Sequence, residues 1–158
     1  MSARGKARKR ALDLLYASEM RSESPVEALD RAVADGEGPT NPYTADLVRA
    51  VTTHQGEIDR ILSMYSESWT LERMPAVDRN VLRIGVYELL WSQDVPGAVA
   101  VSEALALVQS LSTDDSPTYV NGVLGAVLRD RSLLLADIAE RASSVDETAP
   151  VSQEDVES

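Results

Sequence analysis

The sequence predicts an all-α fold. Apolar residues recur at helical spacing along nearly the whole chain, strand-type alternation is absent, and three Ser-Pro or Asn-Pro pairs stand where helices would begin. The chain has 158 residues, 44% of them hydrophobic, and no Cys. At that length it can bury about two-thirds of its unfolded surface, so it needs neither metal nor disulfide to fold.

The elements follow in order. A first helix runs from about Lys6 to Met20, with Ala11, Leu12, Leu15, Tyr16 and Met20 on one side. Ser24 and Pro25 then read as N-cap and first helical position of a second helix, which carries Val26, Leu29 and Val33. Gly36, Gly38 and Pro39 mark a loop, and Asn41–Pro42 repeats the cap signature ahead of Tyr43, Leu47 and Val51. The polar region from His54 to Gly56 separates this third helix from a fourth bearing Ile58, Ile61, Leu62 and Tyr65. Pro75 opens the most apolar segment, Val77 to Trp91, whose apolar residues lie on most sides and predict a central helix. Val101, Ala104, Leu105, Val108 and Leu111 form a sixth. Ser116–Pro117 caps a seventh, with Val120, Val123, Leu124, Val127 and Leu128 on one face, and Gly122 and Gly125 are expected to admit a neighbouring backbone. One domain is expected over residues 1–140. Beyond about Arg141 periodicity fades, and residues 141–158 are expected to form an acidic disordered tail.

Charge is unevenly spread. The net charge is −11, yet Arg4, Lys6, Arg8, Lys9 and Arg10 precede the first acid, Asp13, and both lysines of the chain are among them. A basic segment over residues 3–10 suits phosphate oxygens and, through Arg, the faces of bases. Positive charge at a helix start opposes the helix dipole, which weakens the reading as a mere solvated face. From composition alone nucleic-acid binding, a presequence and solubility all remain open. The apolar run after the basic segment is too short and too interrupted for a secretory signal, and no stretch is long enough to span a membrane, so a cytoplasmic protein is expected.

Catalytic signals are lacking. The single His, His54, lies in a polar stretch and reads as a surface residue; no nucleophile elbow, Walker loop or dinucleotide fingerprint is present. The Asp114–Asp115 pair precedes a helix start and reads as capping. No enzyme activity, metal or cofactor is expected.

Three segments then carry a resemblance: ARKRALDLLYASEM from Ala7, VDRNVLRIGVYELL from Val77 with the DVP turn at Asp94–Pro96, and AVAVSEALALVQSLSTDDSPTYVNGVLGAV from Ala98. In this order and spacing, up to about residue 131, the chain resembles the NusB family. The resemblance implies two packed three-helix lobes and no catalysis. It implies binding of boxA RNA together with a small-subunit ribosomal protein, NusE, and entry into the RNA polymerase elongation complex with other Nus factors, notably on ribosomal-RNA operons. Matched by position, the RNA-side residues are Arg4, Lys6, Arg8, Lys9, Arg10, Tyr65, Asp115 and Tyr119, with Gly5 standing where relatives can carry Arg. The matched partner contacts are Tyr16, Glu72 and Asp78.

NusB-like domains also open ribosomal-RNA cytosine-5 methyltransferases, but a chain of 158 residues without Cys is not expected to be one. A protein–protein module that does not touch RNA is the alternative. Self-association into a homodimer is left open.

Overall fold

The computed structural model describes residues 2–147. Seven helices are present among them: α1 (Ala3–Met20), α2 (Pro25–Ala34), α3 (Pro42–Tyr65), α4 (Ala76–Leu90), α5 (Gly97–Leu111), α6 (Ser116–Arg129) and α7 (Arg131–Glu147). Helices α1 to α3 pack together as one lobe and α4 to α6 as a second. The lobes join where α4 lies against α1 and α3, so α4 is central, as its nearly all-round apolar surface predicts. Val81, Leu82, Val86 and Leu89 of α4 are at most 1% exposed and share one core with Leu47, Val51, Ile61 and Leu62 of α3 and Val120 and Leu124 of α6.

The starts of α2 and α3 obey their cap signals. Ser24 Oγ accepts from the Glu27 amide at 3.5 Å and Asn41 Oδ1 from the Tyr43 amide at 3.0 Å. Gly36 ends α2 in the left-handed region, at φ 77°, with the Glu37 amide donating back to the Ala32 carbonyl at 2.8 Å.

Four expectations need correction. The third and fourth helices are one continuous α3. Gly56 sits on its exposed side with open space around it, while Val51 and Ile58, seven residues apart, keep the buried stripe unbroken across the polar stretch. The acidic segment after Arg141 begins as helix, because α7 continues to Glu147; residues 148–158 lie outside the described residues. At the start of α6 the cap position is Asp115, which makes no capping bond, and the Ser116 side chain is directed elsewhere. Gly122 and Gly125 face open space; close approaches to α6 are instead at Gly97 and Gly85, where an added Cβ would lie 2.5 Å from Leu128 Cδ1 and 2.7 Å from Leu124 Cδ1.

Candidate nucleic-acid interface

The basic segment is helical from its first residue. Ser2 Oγ accepts from the Gly5 amide at 3.0 Å and so caps α1 ahead of Arg4. Helical spacing then gives the basic residues different surroundings. Arg8 falls on the buried side with Gly5, Ala7 and Ala11 and is only 3% exposed. Its Nε and Nη2 donate to both carboxylate oxygens of Glu88, at 2.8 to 3.1 Å, and its Nη1 lies 3.8 Å from Glu103. The Tyr43 hydroxyl donates to the same Glu88 carboxylate. Burial alone would disfavour the charge on Arg8, but Glu88 outweighs it and raises the pKa. Burial, then Glu88, pushes the Tyr43 phenol up. The Tyr43 ring in turn lies under two guanidinium groups, its centroid 4.8 Å from Arg4 Cζ and 5.6 Å from Arg8 Cζ.

Arg8 is therefore corrected from a water-facing phosphate contact to the anchor of the segment. Glu88 is a carboxylate inside the buried helix α4, and each charge would be costly to bury without the other. Lys9 is partly engaged as well, 3.3 Å from Asp13 one turn on. Arg4, Lys6 and Arg10 are exposed.

The aromatic candidates sit elsewhere. Tyr65, the last residue of α3, donates its hydroxyl to Asp130 at 2.8 Å, and its pKa is raised by burial and then by that carboxylate. The Tyr119 ring packs on Trp69 with centroids 4.9 Å apart at 55°, and its hydroxyl is buried without a hydrogen-bond partner of good geometry. Tyr65 and Tyr119 border an open groove of about 310 Å³ with Glu67, Ser68, Thr118 and Gly122. Asp115 is exposed at the start of α6, four residues before Tyr119. Tyr43 and Tyr65 stand near opposite ends of α3, roughly 33 Å apart at the helical rise of about 1.5 Å per residue. The eight RNA-side candidates thus form two groups, one at each end of α3.

Of the partner-side candidates, Tyr16 is 40% exposed on α1 and Glu72 is exposed between α3 and α4. Asp78 is corrected: it is fully buried, accepting from Ser112 Oγ and from Ser116 Oγ at 2.7 Å. The first turn of α4 faces the connection between α5 and α6, so this carboxylate ties that connection down and is not offered to another protein. His54 is half-buried, stacked on Trp91 at 4.4 Å and 21°, and burial lowers its pKa. Among the described residues no cluster of acids and His could hold a metal ion, and no helix is long and apolar enough to cross a membrane.

Residues that sequence reasoning missed are Tyr43 and Glu88, which hold the basic segment, and Trp69 and Asp130, which hold the two groove tyrosines. Glu88 did leave a signal, since an acid within an otherwise apolar central helix needs a buried cation.

The family model that matches the chain is that of the NusB family, over residues 5–129. A transcription antitermination protein NusB of Nocardioides sp. is 66% identical over 134 residues, covering 85% of this chain and 99% of its own. The T. maritima NusB structure superposes with a TM-score of 0.73 at 29% identity, covering 82% of this chain and 93% of its own. A crystal structure of the antitermination factors NusB and NusE in complex with double-stranded RNA gives 0.69 at 29% identity, covering 80% and 96%.

Proposed function

Because this chain belongs to the NusB family of transcription antitermination proteins, we propose that it binds boxA-type RNA jointly with the ribosomal protein NusE and carries both to the elongating polymerase with other Nus factors. It acts in the cytoplasm on nascent transcripts, as a binding adaptor with no catalytic step. The observation that carries this reading is the preformed basic turn of α1. Arg4, Lys6 and Arg10 are presented on a capped helix anchored through Arg8 to Glu88. The neighbouring NusB–NusE complex, which holds RNA, supports the same reading. That RNA is double-stranded, but a groove edged by Tyr65 and Tyr119 suits unstacked bases of a single strand.

NusE docks on the exposed Tyr16 and Glu72, with Asp78 acting only from within. The −11 chain offers few phosphate contacts, so a basic partner extends the positive track. The test is electrophoretic mobility of boxA RNA at about physiological salt with and without saturating NusE. The expected result is a gain in RNA affinity of about fivefold or more with NusE, within the usual coupling range. Equal mobility of boxA and scrambled RNA, with and without NusE, would leave a protein-binding module.

A further inference from the structure

The first turn of α4 holds three other segments at once. Asp78 accepts from Ser112 and Ser116 and so fixes the start of α6. Arg79, the next residue, holds two more segments with one guanidinium. Its Nη1 donates to the carbonyls of Leu71 at 2.7 Å and Met74 at 3.1 Å, in the connection between α3 and α4. Its Nη2 donates to the Glu19 carboxylate near the end of α1, whose other oxygen accepts from Asn80 Nδ2 at 2.8 Å. The Arg79 side chain is 11% exposed and that of Glu19 30%, so the pair is dry on one side and open to water on the other.

These segments carry residues of two different surfaces. Glu19 lies one turn after Tyr16 on α1, and Leu71 adjoins the exposed Glu72. Both are therefore beside the atoms that Arg79 holds. On the other surface the connection supplies Trp69, whose ring centroid lies 4.9 Å from that of Tyr119. Tyr119 stands in the first turn of α6, just after Ser116. One turn of α4 thus fixes both members of the aromatic pair, Tyr119 through Asp78 and Trp69 through Arg79. The backbone around Trp69 has little else to fix it. From residue 67 to 74 its hydrogen bonds within the backbone are those of the Arg73 and Met74 amides to the Thr70 carbonyl.

We propose that Arg79 is a positioning residue for the aromatic groove, which ties the end of α1 to the Trp69–Tyr119 pair and so transmits docking at Tyr16 and Glu72 to the groove. The proposal rests on the RNA and NusE reading above. It adds a route through the protein itself to the gain that a basic partner brings by extending the positive track. A partner seated on Tyr16 covers the open side of Glu19, and the attraction between Glu19 and Arg79 strengthens as water leaves. The connection is then ordered before RNA arrives, and RNA bears less of the cost of ordering it. The planar fork of arginine serves a carboxylate and two carbonyls together, which the compact ammonium of lysine matches poorly.

The test uses the full chain with fluorotryptophan in place of its two tryptophans, so that fluorine resonances report Trp69 and Trp91 even beside NusE. Trp91→Phe assigns them. In wild type, saturating NusE should shift the Trp69 resonance. In Arg79→Lys that resonance should differ from wild type without NusE and should no longer respond to it. RNA affinity of the free variant should fall about threefold, and the NusE gain should drop from about fivefold to under about twofold. Arg60→Lys is the control. Arg60 also ties two segments, α3 and α7, through Glu57 and Asp137, but neither carries Trp69 or Tyr119. Its Trp69 resonance and NusE gain should match wild type. Circular dichroism confirms the fold of each variant. A wild-type Trp69 resonance and a full gain in folded Arg79→Lys overturn the proposal, and so does the same change in Arg60→Lys. If the wild type binds no RNA but its Trp69 resonance responds to NusE, and in Arg79→Lys does not, the positioning role stands and the RNA reading falls.

Discussion

At its first turn α3 lends Tyr43 to two arginines and a glutamate; at its last residue it lends Tyr65 to an aspartate and an open groove. The same residue type serves opposite ends. Tyr43 is fixed at both its hydroxyl and its ring, and its effect is to order cations. Tyr65 is fixed by its hydroxyl, and its ring borders a groove. One end therefore offers charge, which salt screens, and the other offers aromatic faces, which salt hardly touches. Roughly 33 Å of helix separates them, which a stacked strand rising about 3.4 Å per nucleotide would cross in about ten nucleotides. A short RNA can engage one end without the other, so the contributions are separable.

The largest effect is expected from breaking the anchor of the basic end. Glu88→Ala leaves the Arg8 guanidinium buried without its main partner, and stability should fall by about 3–5 kcal/mol. In a domain of this size that is a drop in Tm of roughly 10 °C. The double variant Arg8→Leu with Glu88→Leu should recover most of the loss, because both charges go together. Calorimetry on wild type and the two variants decides it, and a Glu88→Ala melting point equal to wild type would mean that Arg8 needs no anchor.

The aromatic end should respond differently. Tyr65→Leu and Tyr119→Leu remove the ring faces while keeping bulk, and each should weaken RNA binding by about 1–3 kcal/mol. The salt slope should not change, whereas cation variants at the other end lower it. Affinities at two salt concentrations test this. If a tyrosine variant lowers the slope as a cation variant does, the two ends are not distinct in kind.

The contrast between the ends also marks what the sequence made legible. The helical class and the central α4 follow from local periodicity and caps, which are read within a few residues, whereas the two lobes are what the family resemblance implies. The count of seven, however, joined two misjudged places. The His54–Gly56 stretch looked like a break because its residues are polar, although the stripe from Val51 to Ile58 runs on beneath it. α7 was missed in part because its apolar residues are only partly covered: Leu134 is buried while Leu133 and Val145 are among the most exposed hydrophobics. At the site, residue types marked candidate helix turns but not their exposure. Arg8 and Glu88 are 80 positions apart, and Asp78 meets Ser116 across 38, so although the apolar setting of Glu88 hinted at burial, no local pattern could show which partners these charges meet.

A smaller effect concerns Tyr119 alone. Its hydroxyl is buried, with the Ser66 side chain near it but no hydrogen bond of good geometry, while its ring rests on Trp69. Tyr119→Phe keeps the ring and removes the unsatisfied group, so it should stabilise the fold by roughly 1 kcal/mol and leave RNA stacking unchanged. A clear loss of stability on denaturant unfolding would show that the phenol has a partner after all.

The smallest effect belongs midway along α3, at neither end. His54 stacks on Trp91 and Tyr87, and burial against them lowers its pKa below the ordinary value. A base whose folded pKa is depressed takes up a proton first in the unfolded chain. Its contribution to stability is therefore complete above the unfolded value of about 6.5 and is lost as pH falls through it. The carboxylates with lowered pKa, Glu23 held by Arg31 and Asp130 held by Tyr65 and then Arg129, lose their contribution only near and below the ordinary acid range of about 4. Between about pH 7.5 and 5.5 the histidine dominates the slope. Wild type should melt at a slightly lower temperature at the lower pH, and His54→Gln, which cannot take up the proton, should lose most of that difference. RNA affinity at pH 7.5 should be the same in both, since His54 touches neither the cations nor the groove. An unaltered pH dependence of Tm in His54→Gln would place the titrating group elsewhere, and a loss of RNA affinity would extend the interface along the whole of α3 and dissolve the division into two ends.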